Sequence, residues 1–168
     1  KLRSLKGEAL RQAFAMPLSY VSYNDVQRFL QRYNAWLFDP EHSERLDGLP
    51  RNNGAPGFIR LATESEWEYV ARGGLPVLQK GAAFNERLPF PPGQLNDYAW
   101  HLGNAKHKVR PIGLRQPNPL GFHDLYGNVQ EMTAGLFQPE LWQGQPGGVP
   151  VRGASVSTTL ADVRASNR

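Results

Sequence analysis

Residues 117–131 have the sequence PNPLGFHDLYGNVQE, and this stretch decides the fold more than any other part of the chain. Residues 121–125 are compatible with a short strand, and Gly127 and Asn128 follow it as a turn. The carboxylates of Asp124 and Glu131 stand on either side of that turn. The stretch therefore predicts an ordered loop with two acidic side chains.

A second stretch, residues 59–74, has the sequence IRLATESEWEYVARGG and predicts a strand followed by a capped helix. Residues 59–61 are typical of a short buried strand. Thr63 and Glu66 have the spacing of a capping box, in which each side chain bonds the backbone N–H of the other residue. Gly73 and Gly74 are expected to end the helix, because glycine adopts the left-handed conformation found after helix ends.

An amphipathic helix is predicted at about residues 23–37. Ser22 is a favourable N-cap, and Asp25 complements the helix dipole in the first turn. The apolar residues then recur at helical spacing, and Trp36 extends their stripe. These residues are Val26, Phe29, Leu30, Tyr33 and Leu37.

Residues 151–155, with the sequence VRGAS, follow a long loop and predict a last strand at about 149–154. The chain holds 17 glycines and 14 prolines, which are dispersed, and this favours many turns between short elements. Further short strands are expected near 98–100 and 109–113. We predict an α+β fold with two main helices, short strands and long ordered loops, organised as a single domain over residues 1–168 with a possible arm at 1–15.

Composition excludes several classes of protein. The chain has no cysteine, which excludes a disulfide framework and thiol catalysis. Its net charge of +4 is not clustered enough to predict nucleic-acid binding. No apolar run approaches the roughly 18 residues of a transmembrane helix, so no transmembrane segment is predicted.

The three stretches at 59–74, 117–131 and 151–155 resemble the formylglycine-generating enzyme (sulfatase-modifying factor) family, in the same order and at similar spacing. The resemblance extends over about residues 17–168. It implies a C-type-lectin-like fold with little regular secondary structure. It also implies that the family's N-terminal strands and its final C-terminal strand lie outside this sequence.

The resemblance implies a reaction that this chain lacks the residues to perform. Enzymes of the family oxidise a substrate cysteine with copper held by two thiolates, and soft sulfur ligands select Cu(I). Residues 155–164 stand at that position and offer hydroxyls and one carboxylate instead. We expect no copper and no catalytic residue, so the chain is predicted to be a non-catalytic member. The four histidines show no metal-ligand spacing and are expected to have packing or surface roles; they are His42, His101, His107 and His123.

The resemblance also implies a structural calcium site, with one ion at most. Its ligands would be the side chains of Asp124 and Glu131 and the backbone carbonyls of Gly127 and Val129. Such hard oxygens are the ligands that calcium prefers. The alternative is a hydrogen-bonded turn without a metal.

A partner-binding face is expected around the degenerate active site, because losing the thiols does not remove the surface that receives a peptide in the enzymes. The segment after the last strand would line it, with an aromatic side chain closing over it from the preceding loop. For the two arginines, a structural ion pair is the alternative. The candidate residues are Trp142, Arg152, Ser155, Ser157 and Arg164.

The leading hypothesis is therefore a protein-binding or regulatory module without catalysis. The Gln130-Glu131-Met132 sequence resembles bacterial members that act as accessory regulators of type VI secretion. Those members act in the periplasm, where the partner would be a membrane kinase ectodomain or a lipoprotein; a cytoplasmic location is the alternative. Two other functions stay open, namely an enzyme of non-copper chemistry that matures a peptide or siderophore, and a carbohydrate-binding module.

We predict that the protein does not convert cysteine to formylglycine, because no thiol is present to hold Cu(I). The purified protein with added copper is incubated with a cysteine-containing sulfatase peptide, and the peptide mass is followed. An active formylglycine-generating enzyme is the positive control. Turnover-dependent appearance of the aldehyde mass would contradict the prediction.

Overall fold

The computed structural model describes residues 6–135 and 148–166 as an α+β fold in which helices and loops predominate. Its helices are α1 (Gly7–Phe14), α2 (Tyr23–Leu37), α3 (Glu64–Ala71), α4 (Gly74–Leu78), α5 (Leu95–Tyr98) and α6 (Leu102–Ala105). The 3-10 helices are Pro40–Leu46, Gly81–Asn85 and Pro92–Gln94. The strands are β1 (Arg51–Asn52), β2 (Ala55–Pro56), β3 (Glu131–Met132) and β4 (Val151–Arg152). No helix in the described part of the chain is both long and apolar enough to cross a membrane.

The chain divides into two compact units, of which the smaller is Tyr20–Leu61. In this unit α2 confirms the predicted helix, and Ser22 and Asp25 form a complete capping box. β1 and β2 pair as an antiparallel hairpin. Asn53 and Gly54 connect them with positive φ angles of 49° and 82°, as a type I′ turn requires.

The apolar stripe of α2 is less buried than its spacing predicts. Within the helix, Leu37 is buried, whereas Phe29 and Trp36 are 62% and 49% exposed. Tyr33 stacks between these two rings, with centroid distances of 5.7 Å to Phe29 and 5.5 Å to Trp36. The aromatic residues of the stripe thus pack on one another along the helix.

The larger unit comprises residues 1–19 and 62–168, and it contains the apolar core. The capping box of Thr63 and Glu66 is present at the start of α3, as predicted. Gly73, with φ of 89°, follows α3 and separates it from the short α4. The core is formed by Trp67, Ala71, Leu88, Phe90, Leu95, Ala99, Leu125, Tyr126, Ala154, Val163 and Ala165.

The small sheet of the larger unit joins the two stretches that resemble the family. β3 and β4 pair antiparallel, with Glu131 opposite Arg152. An isolated parallel bridge links Thr63 to Ala134. The N-terminus of α3, the end of the 117–131 stretch and the last strand therefore meet at one place.

The short strands predicted at 59–61, 98–100, 109–113 and 121–125 are wrong. At the first and third of these, asparagine side chains take the place of a neighbouring strand. Asn34 bonds the backbone N–H and C=O of Ile59 at 2.8 and 2.7 Å. Asn128 bonds the N–H and C=O of Arg110 at 2.9 and 3.0 Å. The amide group has one donor and one acceptor in nearly the arrangement of a peptide unit, so it satisfies extended backbone without a ladder.

Asn128 also connects the turn to two further segments. Its N–H donates to the carbonyl of Trp100 at 2.8 Å, and its C=O accepts from the N–H of Val156 at 3.0 Å. Its neighbour Gly127 has no space for a side chain, because a Cβ atom would lie 2.1 Å from the Trp100 oxygen. The Gly-Asn dipeptide is therefore required by close packing as well as by turn geometry.

We predict that Asn128→Ala lowers the free energy of unfolding by about 2–4 kcal/mol, because two backbone groups of Arg110 lose their partners. The matched control is Asn53→Ala, which removes an asparagine with the same left-handed backbone at an exposed position. It is expected to cost about 1 kcal/mol, the penalty for a left-handed alanine. Urea denaturation measures both, and equal costs would contradict the assigned role of Asn128.

Candidate functional site

The turn at 124–131 is built from left-handed backbone at two non-glycine residues. Asp124 has φ of 63° and Asn128 has φ of 68°. The N–H of Gly127 lies 3.3 Å from the carbonyl of Asp124. Asparagine and aspartate tolerate this conformation better than most residues, so the sequence is compatible with the strained turn.

The two carboxylates of the turn lie in a region where negative charge is poorly compensated. Asp124 Oδ2 accepts from the N–H of Gly113 at 2.8 Å, while Asp124 Oδ1 is buried without a hydrogen-bond partner. Glu131 Oε2 accepts from the indole N–H of Trp67 at 2.7 Å. Burial raises the pKa of Glu131, the negative charge of Asp124 raises it further, and the bond from Trp67 opposes both effects. A cation between the two carboxylates would relieve this repulsion.

These residues fit the calcium ion that the resemblance implies. The unpartnered oxygen of Asp124 and the carboxylate of Glu131 supply hard side-chain ligands. Among the described residues, no hydrogen bond occupies the carbonyls of Gly127 and Val129. No group of three or more His, Asp or Glu side chains in the described ranges is arranged to hold a metal, so the site depends on those two carbonyls. Calcium at this turn stays a prediction.

The hydroxyl segment after β4 folds into a compact turn. The N–H of Ser155 donates to Thr158 Oγ1 at 3.0 Å, and the N–H of Ser157 donates to Ser155 Oγ at 3.2 Å. Ser155 is half-buried, and Ser157 is exposed. His107 Nδ1 lies 3.4 Å from Ser157 Oγ, although the two residues are fifty positions apart. No motif or spacing in the sequence indicates that proximity.

Arg152 is buried, with 2% of its surface exposed. Its Nη2 atom contacts a carboxylate oxygen of Glu68, and its Nη1 lies 3.7 Å from Glu64 Oε2. Burial raises the pKa of Glu68, but hydrogen bonds from Arg72 and Arg152 bring it below its ordinary value. This arrangement favours the structural alternative for Arg152 over partner contact.

Arg164 has the opposite environment. It is exposed, and its Nε lies 3.4 Å from the carbonyl of Asp162. The described residues give it no ion pair, so the buried ion-pair alternative does not apply to Arg164. Trp142 lies outside the described residues.

Sequence reasoning missed a pocket of about 350 Å³ in the proline-rich loop before α5. Arg87 in its wall donates to the carbonyls of Leu160, Ala161 and Val163 at 2.6 to 2.7 Å. The pocket thus adjoins the segment that follows the hydroxyl turn. The run of prolines near Phe90 was the available signal. The lining residues are Ala83, Glu86, Arg87, Leu88, Pro89, Phe90, Pro91 and Pro92.

A sequence profile of the sulfatase-modifying factor enzyme 1-like domain matches residues 2–168. The chain belongs to this family. The match includes all three stretches that carried the resemblance, and it confirms the family expectation.

Individual relatives differ in what they are described to do. The chain is 32% identical over 169 residues to inactive C-alpha-formylglycine-generating enzyme 2 of Mus musculus, a match that covers 96% of this chain and 44% of the mouse protein. It is 31% identical over 111 residues to the chaperone protein LppX of Paenibacillus barcinonensis, covering 55% of this chain and 38% of that protein. The chain therefore spans less than half the length of these relatives.

The fold is shared with solved structures of similar proteins. PvdO from Pseudomonas aeruginosa superposes with a TM-score of 0.57 at 25% identity. The superposition covers 92% of this chain and 55% of PvdO. The predicted α+β fold of the formylglycine-generating enzyme family is thus confirmed.

We predict that millimolar calcium raises the melting temperature, because an ion that binds only the folded state stabilises it by mass action. Glu131→Gln should abolish the increment. In the absence of calcium, this variant should be at least as stable as the parent, since it removes a half-buried charge that Asp124 repels. Differential scanning fluorimetry with and without calcium measures both effects.

Glu41→Gln is the control, because Glu41 is an exposed carboxylate remote in sequence from the turn. It should retain the full calcium increment. An equal increment in Glu131→Gln, or none in the parent, would leave a hydrogen-bonded turn without a metal.

Proposed function

We propose that this domain is a non-catalytic member of its family that binds a protein or peptide partner. The observation that carries the proposal is the turn after β4, where the hydroxyls of Ser155 and Thr158 accept hydrogen bonds from backbone N–H groups and contact each other. The description of the mouse relative as inactive, at 32% identity over most of this chain, supports it. The description of LppX as a chaperone supports a protein as the ligand.

The binding face in this proposal consists of Ser155, Ser157 and Arg164. Arg164 is exposed, and its guanidinium contacts one backbone carbonyl, that of Asp162, so it can bind an acidic group of a partner. Arg152 is not part of the face, because its guanidinium is buried beneath α3. Arginine in an exposed position is a common hot-spot residue of protein interfaces.

The pocket beside Arg87 extends this face. Its wall is mainly apolar, with Pro89, Phe90 and Pro91 contributing, and it is open on one side. An extended peptide places alternate side chains into such depressions while its backbone lies along the rim. The carbonyls of Leu160, Ala161 and Val163 are already bonded by Arg87, which keeps the neighbouring segment in place for such a ligand.

The finer proposal is an accessory regulator of type VI secretion in the periplasm, acting on a membrane kinase ectodomain or a lipoprotein. It is supported by the Gln130-Glu131-Met132 sequence of the turn. Capture experiments from periplasmic and cytoplasmic fractions of the source cells test the location and the class of partner together. Recovery of a cytoplasmic partner alone would contradict the periplasmic proposal.

An enzyme of other chemistry is the second candidate, and the contact between His107 and Ser157 is the observation that favours it. A serine nucleophile needs an adjacent base, and the base is normally oriented by a third group. The 3.4 Å distance is longer than a strong hydrogen bond, and His107 forms no ion pair among the described residues. A fluorophosphonate probe tests this candidate: labelling of Ser157 that disappears in His107→Gln would support it over the binding module.

We predict that Arg164→Ala weakens partner binding at least fivefold, or about 1 kcal/mol, without lowering the melting temperature. Arg152→Ala should instead lower the free energy of unfolding by about 3 kcal/mol, because Glu68 and Glu64 lose a buried counterion. Partner recovery from a lysate is quantified by mass spectrometry, followed by affinity measurement with the recovered protein. Arg28→Ala, which alters an exposed arginine of α2, is the control. Undiminished binding by folded Arg164→Ala would move the binding face elsewhere.

A further inference from the structure

Two arginines share one tryptophan in the loop that precedes the 117–131 stretch. The guanidinium carbon of Arg115 lies 3.6 Å from the ring centroid of Trp100, and that of Arg110 lies 5.2 Å from it. Both distances are within the range of cation–π contacts. We refer to Trp100, Arg110 and Arg115 as the Trp100 cluster.

Hydrogen bonds hold the backbone of the cluster at several points, so the Cα positions of its arginines are defined. The side chain of Asn128 bonds both backbone groups of Arg110. The carbonyl of Arg115 contacts His123 Nδ1 at 2.7 Å. The N–H of Gly113, between the two arginines, donates to Asp124. The loop is therefore anchored on both sides of the cluster.

The cluster contains hydrogen-bond donors without acceptors. The indole N–H of Trp100 and the Nε–H groups of Arg110 and Arg115 are all buried and unpartnered. Buried donors are normally bonded, and leaving one without an acceptor costs about 1–3 kcal/mol. An oxyanion suits these donors, because its oxygens accept several hydrogen bonds and its charge is opposite to that of the two guanidinium groups.

The charges of the cluster are also uncompensated. Neither guanidinium has a carboxylate within 4 Å among the described residues, whereas Arg72 and Arg152 are both paired with Glu68. Arg110 bonds a single carbonyl, that of Ala105, at 3.1 Å. Burial lowers the pKa of the neighbouring His101 and the charge of Arg115 lowers it further, which disfavours a third positive charge here. Two half-buried positive charges thus remain beside one aromatic ring.

The surroundings of the cluster indicate which oxyanion would bind. Ile112 and Leu114, on either side of Gly113, are 53% and 61% exposed. A hydrated phosphate gains nothing from such apolar neighbours, whereas a peptide carboxylate next to an apolar side chain would cover them. Guanidinium groups match the two oxygens of a carboxylate.

We propose that the Trp100 cluster binds a peptide carboxylate that lies beside an apolar side chain. The carboxylate comes from a C-terminus or from an acidic residue. It accepts from Arg110, Arg115 and the indole N–H of Trp100, while the apolar side chain packs on Ile112 or Leu114. This site does not depend on the partner face at Ser155, Ser157 and Arg164, and each can fail without the other.

The test follows the indole N–H resonance of Trp100 by ¹H–¹⁵N NMR, with Trp100→Phe assigning it among the four tryptophans. N-acetyl-leucine supplies a terminal carboxylate, and N-acetyl-aspartyl-leucinamide supplies an acidic side chain. We expect a downfield shift and a millimolar Kd with at least one of them, and the tighter ligand identifies the source of the carboxylate. Uncharged N-acetyl-leucinamide should cause no such shift.

Arg115→Gln and Arg110→Gln should each weaken binding about tenfold, the effect of losing one charge-assisted hydrogen bond. Arg32→Gln, on an exposed position of α2, is the matched control for net charge and should change the Kd less than twofold. Equal weakening in Arg32→Gln would show nonspecific attraction and overturn the proposal. Inorganic phosphate that binds as tightly as the peptides, with the same dependence on Arg110 and Arg115, would overturn the choice of carboxylate.

A second variant keeps the test decisive if Arg115→Gln does not fold. Arg115→Lys retains the cation over Trp100 but loses the forked donor geometry that matches a carboxylate. It should fold and bind more weakly than the parent. An unchanged Kd in folded Arg115→Lys, together with an unchanged Kd in Arg110→Gln, would show that the cluster serves only to pack the loop.

Discussion

The side chain of Asn128 is the interaction on which the arrangement of the larger unit depends. Its amide bonds both backbone groups of Arg110, and its own backbone bonds the carbonyl of Trp100 and the N–H of Val156. Four segments that are distant in sequence therefore meet at one buried residue. A fold with so few strands needs such residues, because its extended segments lack ladder partners and their polar groups must still be satisfied. Asn118 also bonds a distant backbone group, because its side chain donates to the carbonyl of Val70 in the last turn of α3.

This dependence on side-chain amides explains which parts of the fold could be predicted from sequence. The starts of α2 and α3 follow from local rules, because a capping box involves residues only three positions apart. The strands expected near 59–61 and 109–113 fail for a different reason. Backbone groups of Ile59 and Arg110 are bonded by the side chains of Asn34 and Asn128, which no periodicity reveals. A pattern of apolar residues predicts extended backbone more reliably than it predicts the group that will bond it.

In the candidate site, too, contacts within one short stretch could be predicted and contacts between distant stretches could not. The carboxylates of Asp124 and Glu131 belong to one short stretch, so their proximity could be inferred from it. The environments of Arg152 and Arg164 could not, since burial of the first depends on acidic residues of α3 more than eighty positions away. The approach of His107 to Ser157 likewise results from the packing of two turns, each with its own backbone hydrogen bonds. Residue type alone left the roles of these side chains open.

The positions of Asp124 and Gly113 account for the uncompensated charge in the Trp100 cluster. Asp124 is an acidic residue bonded to the loop that carries Arg110 and Arg115, yet its Oδ2 accepts from the N–H of Gly113. A backbone donor therefore takes an oxygen that an arginine would otherwise attract, while the other oxygen stays buried without a partner. The peptide group of Gly113 therefore keeps the carboxylate of Asp124 from pairing with Arg110 or Arg115. Asn128 helps to position that peptide group, because it bonds the backbone of Arg110 three residues earlier. Such separation costs folding energy, because both charges lose water without gaining each other. That cost is recovered if each charge has a ligand of its own, and the two proposed ligands are a cation at the 124–131 turn and an anion at the neighbouring Trp100 cluster.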